Sequence, residues 1–462
     1  MNKKTLATVL SILTIQNGYA QMKDAKTVID ENEKTDVEEE YDEDLKPITP
    51  YSHADFTWLN GNSRQTEYPL QYKAFTGEIN IDSNYVYSFA KPKDHTLVGS
   101  TNSGRTNEFQ LQQIGFGGNF YHKRVRARIM TQFGMYSSMQ PRNDASPSRG
   151  QWNTSDAYKY FSEAYAGYQI TEKFNIDAGI FMSYIGLFSF YNYENWAYQP
   201  SYVSANTPFF FNGLRLQYYP SVKTKIEGWI INGWQSYGMY NEAPGLGMSV
   251  IHRPNGNFSF VTNNYFGADT LGMPGRRRGH TDNSIQYKYF DQPAKAITKA
   301  AFSLTVDFGC EDGGGVSCTG GGGKPSQYFG GFMLYNRMWF NKNRNAITLG
   351  GGAINNPGRY LVLLPPVNGA TAASGTSSFT QNKGDTFNAW DGSVTLDHLP
   401  SEFITFRLEY NHREANVPYF AGKGGVTPPG GNTGTPGSAV PGFEPDLTRV
   451  ENRVTASMMI RL

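Results

Sequence analysis

The stretch RVENRVTASMMIRL, residues 449–462, ends the chain and alternates between apolar and polar side chains. A period of two is that of a β-strand with one apolar and one charged face, whereas a helix would scatter the apolar set around its axis. The apolar parity holds Val450, Val454, Ala456, Met458, Ile460 and Leu462, with Asn452 as its polar exception; the other parity holds Arg449, Glu451, Arg453, Thr455, Ser457 and Arg461. At the end of an exported chain, such a strand predicts the closing strand of an outer-membrane β-barrel.

The first twenty residues have the features of a secretory signal peptide. Lys3 and Lys4 form the basic start, residues 5–15 (TLATVLSILTI) form a short apolar core, and residues 18–20 (Gly-Tyr-Ala) form a small-x-small cleavage site. The apolar core is too short to span a bilayer, so we expect cleavage rather than anchoring. The prediction is export with residues 1–20 removed.

Composition narrows the class of the exported protein. No run of about 20 apolar residues occurs elsewhere, which excludes helical membrane spans. The chain has 30 Phe, 30 Tyr, 7 Trp and 50 Gly, and aromatic and glycine-rich segments that alternate are typical of a transmembrane barrel. A secreted soluble β-sandwich or propeller is the weaker alternative, because soluble sheets rarely end so consistently in aromatic pairs.

Charge divides the mature chain into three parts. Residues 21–46 hold eleven acidic and four basic side chains, which predicts a disordered acidic tail in the periplasm. The segment 47–70 precedes the first strand, and we consider it a small plug that enters the lumen. Residues 71–462 are predicted to form the barrel.

Short alternating segments separated by turn residues predict sixteen antiparallel strands. They lie near 75–89, 108–121, 124–135, 158–170, 174–184, 209–219, 224–234, 247–252, 257–265, 283–290, 298–308, 327–340, 345–354, 386–398, 403–413 and 449–462. Short periplasmic turns include residues 122–123, 220–221 and 399–400, and the long outer loops are 90–107, 136–157, 185–208, 265–282, 309–326, 355–385 and 414–447. Because the segments 247–265 and 386–398 alternate least clearly, fourteen or eighteen strands remain open.

Several segments are specific beyond this general patterning. They are FTWLNG (56–61), DAGIFMSYIGLFSFYNYENWAYQPSYVSANTPFFFNG (177–213), INGWQSYG (231–238) and PGRRRGHTDNSIQYKYFD (274–291). They resemble the beta-barrel porin-2, or OmpL-like, family of Bacteroidota outer membranes, over roughly residues 50–462. The resemblance implies an outer-membrane β-barrel pore and brings no set of catalytic residues with it.

A barrel of about sixteen strands encloses an aqueous lumen unless a loop or plug fills it. Strand parity predicts a pore lining of basic residues with a smaller number of acidic ones: Arg124, Arg126, Arg128, Arg407, Arg449, Arg453 and Arg461, and Glu78, Asp82, Glu409 and Glu451. A modest basic excess favours weak selectivity for anions. The alternative is that these charges pair across strands and stiffen the wall, and both interpretations stay open.

The loop 185–208 is the candidate for an inward-folded constriction. It carries Tyr191, Tyr193, Glu194, Trp196 and Tyr198, whose rings would stack on sugars while the carboxylate faces the arginines. The alternative is that these aromatics pack the loop on the barrel rim. The run 276–278 (Arg-Arg-Arg) lies in an outer loop, where it contacts acidic headgroups or glycans or is simply solvated.

The remaining chemistry argues against an enzyme. Cys310 and Cys318 predict a short-range disulfide in an oxidising compartment, and the seven His residues show neither metal spacing nor a nucleophile motif. We therefore predict no catalytic residue, no metal and no cofactor. The expected partners are outer-membrane lipid, small hydrophilic solutes, the outer-membrane assembly machinery and further copies of the chain, but not nucleic acid. The second hypothesis is a closed barrel that serves as a scaffold or partner subunit of an envelope complex.

Overall fold

The computed structural model describes residues 48–141, 144, 146–324, 326–358, 386–431 and 442–462. Contacts between Cα atoms divide the chain into Met1–Glu43 and Asp44–Leu462, and every described residue belongs to the second unit. The predicted signal peptide (1–20) and acidic tail (21–46) therefore lie outside the described residues.

Within the described residues, sixteen long strands form one antiparallel sheet. They are β1 (Phe75–Ser88), β2 (Phe109–His122), β3 (Val125–Thr131), β4 (Phe161–Thr171), β5 (Phe174–Met182), β6 (Phe210–Ser221), β7 (Thr224–Ile231), β8 (Gly245–Asn255), β9 (Phe258–Gly267), β10 (Arg277–Asp291), β11 (Ile297–Asp312), β12 (Tyr328–Phe340), β13 (Asn345–Asn356), β14 (Phe387–Ser401), β15 (Ile404–Ala415) and β16 (Val450–Arg461). Each strand pairs with its neighbour in the chain, and β16 pairs with β1. The prediction of a closed antiparallel barrel of sixteen strands is confirmed.

The last strand closes the barrel as its alternation predicts. It pairs with β1 from Arg453 opposite Ser88 to Arg461 opposite Asn80. Beyond the end of β16, Leu462 exchanges N–H···O bonds of 3.0 and 2.9 Å with Ile79. Both chain ends of the barrel therefore lie at the same end as the short turns, which we call the inner end.

The two faces of the wall differ in polarity. On β15, Phe406, Leu408 and Tyr410 point outward and are exposed, whereas Arg407 and Glu409 point inward and are buried. Alternation of this kind gives an apolar surface towards lipid and a polar surface towards the lumen. The orientation predicted for this strand is confirmed.

Two of the predicted inner turns are displaced by proline. β6 continues through residues 220–221 and β14 continues through residues 399–400, so the turns lie at residues 222–223 and 402–403. The pairing register shifts where each proline sits. Proline has no backbone N–H for the hydrogen-bond ladder. A β-bulge therefore accommodates it, and the strand continues for one more pair of residues.

The outer end is less regular than the sequence predicts. β3 ends at Thr131 rather than near residue 135, and the loop 232–244, which the sequence analysis left out, separates β7 from β8. In that loop the Trp234 N–H donates to Asp269 Oδ1 at 3.0 Å, so this backbone leaves the ladder. The loops contain short helices at Tyr136–Met139, Thr154–Tyr158 and Tyr202–Ala205 and 3-10 turns at Ser146–Ser148 and Asn192–Glu194. No helix in the described part of the chain is long and apolar enough to cross a bilayer.

Candidate functional site

The segment 48–66, which we call the plug, crosses the inner mouth of the barrel. Its hydrogen bonds reach hairpins on different sides of the mouth: Ile48 N–H to Glu172 O (3.2 Å), Tyr51 N–H to Val222 O (2.7 Å), Trp58 Nε1–H to Gly256 O (2.9 Å) and Arg64 Nη2–H to Ile404 O (2.9 Å). Trp58 and Asn60 are buried. The plug is thus anchored at both of its ends, and its middle packs inside the barrel.

Asp55 ties the middle of the plug to the wall. Its carboxylate accepts hydrogen bonds from the Thr57 hydroxyl (2.6 Å) and N–H (2.9 Å). The ammonium groups of Lys288 and Lys299 lie 3.1 and 3.4 Å from Asp55 Oδ2. Burial alone would raise the pKa of Asp55, but the hydrogen bonds from Thr57 and the two lysine charges outweigh it and lower this pKa to about 2. The carboxylate is therefore ionised over the whole neutral range and holds the plug to β10 and β11.

Acidification should release this tie only at very low pH. A lowered carboxylate pKa contributes stability that is present above the ordinary value of 3.8 and is lost as the pH falls through about 2. We expect single-channel conductance to stay constant from neutral pH down to about pH 4 and to rise below about pH 3 as the plug loosens. Asp55→Asn should conduct more already at neutral pH and show no such step. Asp55→Asn channels that match the native channel at every pH would contradict the role of Asp55.

The loop 185–208 enters the lumen from the outer end. Its five candidate residues are covered: Tyr191, Tyr193, Trp196 and Tyr198 are buried and the Glu194 side chain is 10% exposed. The N–H groups of Tyr198 and Gln199 donate to the two carboxylate oxygens of Glu409 at 2.6 and 2.8 Å. The Tyr198 hydroxyl donates to Asp82 at 3.1 Å. Two wall carboxylates predicted to line the pore thus bind this loop instead.

The plug and the loop 185–208 meet inside the barrel. The Trp196 N–H donates to Asn60 Oδ1 at 2.9 Å, and the Gly61 N–H donates to Glu194 O at 3.1 Å. Gly61 has a φ of +70°, and a Cβ there would lie 1.9 Å from the Leu187 carbonyl oxygen, so only glycine permits the approach. The segments that carry the family resemblance, 56–61 and 177–213, therefore form one contact in the lumen.

Four of the predicted pore-lining arginines point inward but are covered by this packing: Arg128, Arg407, Arg453 and Arg461. Their ion pairs join Arg128 to Glu78 (2.6 Å) and Glu163 (2.5 Å), Arg407 to Asp397 (2.7 Å), Arg453 to Glu451 (3.5 Å), and Arg461 to Glu78 (2.9 Å) and to Glu194. On this side of the lumen the wall charges are paired with one another or with the loop.

Arg124 lies outside the lumen wall, contrary to the sequence prediction. Arg124 is in the β2–β3 turn, where its Nε–H donates to Gln169 O at 2.9 Å and its guanidinium lies 5.0 Å from the outward-facing Tyr168 ring. Arg449 lies in an exposed bend just before β16. A turn does not keep the alternation of the strand, so extending the parity to Arg124 misplaces this residue.

Eight buried acidic residues on inward parities of the strands were missed by the sequence analysis: Glu163, Asp177, Glu227, Asp282, Asp307, Glu311, Asp391 and Asp397. Among them, Asp397 binds two guanidinium groups, those of Arg337 and Arg407, each at 2.7 Å. The available signal was the parity of 386–398, in which Asp391 and Asp397 fall on the same face.

Two further candidates lie near the outer end. Cys310 and Cys318 form a disulfide with their Cα atoms 5.1 Å apart. Within the run 276–278, Arg276 and Arg278 are buried and each lies 2.7 Å from a Glu311 carboxylate oxygen. Only the middle arginine of the run is exposed. In the described part of the chain, no group of His, Cys, Asp and Glu side chains has the arrangement of a metal site.

A closed barrel with an apolar outer band, a polar inner face and an inward-folded loop defines a transmembrane β-barrel of the porin class. The sequence profile of the family described as "Putative beta-barrel porin-2, OmpL-like" matches residues 74–440. The chain belongs to this family, as the resemblance of its motifs implies.

Solved structures with a similar fold are bacterial outer-membrane proteins. In vitro folded OmpT of Vibrio cholerae (trimer form) is 9% identical over 84% of this chain and 99% of that chain, with a TM-score of 0.46. The anion-selective porin of Comamonas acidovorans is 10% identical over 84% and 99%, also at 0.46. The channel DcaP of Acinetobacter baumannii is 11% identical over 87% and 100%, again at 0.46. Comparison with curated protein sequences gives no match. Family membership therefore rests on the match over residues 74–440.

Proposed function

We propose that this protein is an outer-membrane porin through which ions and small hydrophilic solutes diffuse passively. The observation that carries the proposal is the closed wall of sixteen strands, polar inside and apolar outside, in a chain of a porin family. Such a wall holds a water-filled path wherever segments of the chain do not fill it.

The plug and the loop 185–208 restrict this path. Their contact between Trp196 and Asn60 occupies the lumen, and the loop covers the wall at Asp82 and Glu409. Conductance of the native channel should therefore be low for a barrel of this size, and the basic excess of the remaining wall gives a weak preference for anions.

The proposal includes several expectations about the cellular context. Residues 1–20 are a signal peptide that is cleaved on export, and the assembly machinery of the outer membrane inserts the barrel. The wall contacts outer-membrane lipid, the chain forms homo-oligomers, and the source is a member of the Bacteroidota.

Planar-bilayer recording of the purified mature protein tests the function. A porin gives discrete, stable and ohmic conductance steps, with a reversal potential that reports ion selectivity in a salt gradient. A folded native barrel that produces no steps would contradict the proposal.

The second candidate function is a closed scaffold in an envelope complex, and the filled lumen is the observation that favours it. A scaffold would be electrically silent as the native chain and would open only on deletion of residues 21–70. A porin conducts with these residues in place, so the native recording distinguishes the two functions.

A further inference from the structure

The ion pairs on β3, β5, β6 and β7 differ from those covered by the loop 185–208. In each of them the cation is partly exposed and the carboxylate behind it is buried: Arg126 is 24% and Asp177 0% exposed, Arg215 is 12% exposed against the same Asp177, and Lys225 is 19% and Glu227 4% exposed. By contrast, the side chains of Arg407 and Arg453 on the covered side are each 1% exposed. Solvent in the lumen therefore meets positive charge on this part of the wall.

The strand register places Arg126, Asp177 and Arg215 in one belt around the wall. Arg126 pairs with Gly167, Gly167 with Asp177, and Asp177 with Arg215. The Asp177 carboxylate lies 3.0 Å from Arg126 Nε and 2.8 Å from Arg215 Nη2. A Cβ at Gly167 would lie 2.0 Å from Asp177 Oδ1. The glycine leaves the space in which a single carboxylate orients both arginines.

Aromatic rings fix the orientation of Arg215. Its guanidinium carbon lies 4.7 Å from the ring centre of Tyr165, 4.6 Å from that of Phe181 and 5.5 Å from that of Trp229. A guanidinium held against rings keeps its planar set of donors in one direction. The group is therefore preorganised before any solute arrives.

Lys225 adds a further cation on the neighbouring strand β7, four residues before Trp229, which is the register partner of Arg215. Its ammonium lies 2.8 Å from Glu227 Oε1, and the same carboxylate oxygen accepts a hydrogen bond of 2.8 Å from Gln217. Because Glu227 is held behind the lysine by two donors, its charge is screened from the lumen and that of Lys225 is not.

We infer that Arg126, Arg215 and Lys225 form the selectivity site of the solute path, and that the site takes small oxyanions such as carboxylates and inorganic phosphate. The inference rests on the proposed porin function. Guanidinium groups bind oxyanions through charge-assisted and often bidentate hydrogen bonds, and a cationic belt with buried counter-charges raises the local concentration of anions. The weak anion preference thus arises on β3–β7 and not on the arginines of β15 and β16.

Reversal potentials in a potassium chloride gradient test this assignment with the full mature chain. We expect Arg126→Gln and Lys225→Gln each to lower the permeability ratio of chloride to potassium about two- to fivefold while conductance steps remain. Arg126→Lys keeps the charge and should retain most of the ratio. The matched control is Lys173→Gln, which removes an exposed charge from the β4–β5 turn at the same end of the barrel and should leave the ratio unchanged. Potassium phosphate added to the potassium chloride solution should reduce the chloride current in the native channel and not in Arg126→Gln.

The outcomes separate this inference from the function on which it rests. If the native channel conducts and both glutamine variants keep its reversal potential, the assignment is overturned and the porin stands. If the native chain never conducts, the porin function fails, and the selectivity site fails with it. A variant that does not fold is recognised on gel electrophoresis, because its unheated sample lacks the band of the folded barrel. The permeability ratios of Arg126→Lys and Lys225→Gln are then compared instead.

Discussion

Replacing the plug by a Gly/Ser linker of the same length will raise single-channel conductance about three- to tenfold, because conductance follows the open cross-section of a pore. The replacement removes the buried side chains of Trp58 and Asn60 and the anchor of Arg64 on β15. Planar-bilayer recordings of the two proteins under the same salt provide the comparison.

Asp55→Asn is a milder variant for the same comparison, because it disturbs the plug less than its replacement by a linker does. It weakens the tie to Lys288 and Lys299 and leaves every other contact of the plug in place, so its mean conductance should lie between those of the native and linker channels. Identical conductance of the native and linker channels would show that the plug does not restrict the path.

Asp397→Ala will cause the largest loss of stability, about 3–5 kcal/mol of unfolding free energy, because it leaves two buried guanidinium groups without their carboxylate. Asp397 lies 2.7 Å from Arg337 and 2.7 Å from Arg407, and all three side chains are buried. Arg407 also donates to the Asn195 carbonyl of the loop 185–208 at 2.6 Å, so the loop should loosen as well. Urea unfolding in detergent micelles, followed by tryptophan fluorescence, measures the loss.

Glu242→Ala is the control for this stability measurement. Glu242 is exposed in the loop 232–244, so its replacement should change the unfolding free energy by less than about 0.5 kcal/mol. Equal unfolding midpoints for Asp397→Ala and Glu242→Ala would mean that the buried Arg–Asp–Arg cluster contributes nothing to stability.

The wall of the barrel was predictable from the sequence because each strand has one face towards lipid and one face towards the lumen. Lipid on one side and the lumen on the other impose a period of two, and the stretch 449–462 shows it with few exceptions, such as Asn452. The same rule located strands as weak as 247–252 and 386–398, which the structure places in β8 and β14. Errors arose where a local backbone effect overrides the period, as at the proline bulges of β6 and β14.

The open part of the lumen was not predictable from the sequence. Strand parity predicts which face of the wall a side chain lies on, but it does not predict whether that side chain contacts solvent or is covered by a loop. Arg126 and Arg453 are both arginines whose strand parity directs them inward, yet the side chain of Arg126 is 24% exposed and that of Arg453 is 1% exposed. The difference comes from the loop 185–208, which lies over one part of the wall and not over the other. Which way a loop folds depends on contacts with residues far away in the chain, such as Tyr198 with Asp82.

Thiol crosslinking of the plug to the wall tests the central claim most directly. Thr57 and Lys299 are in contact, with 2.7 Å between the Thr57 hydroxyl and the ammonium, and the two native cysteines are already joined to each other. With Thr57→Cys and Lys299→Cys combined in the folded protein, a short thiol-to-thiol crosslinker should join the plug to β11 in most molecules, and Thr57→Cys alone should give no crosslink. Two thiols that react independently, without a crosslink, would place the plug outside the barrel and contradict this account of the lumen.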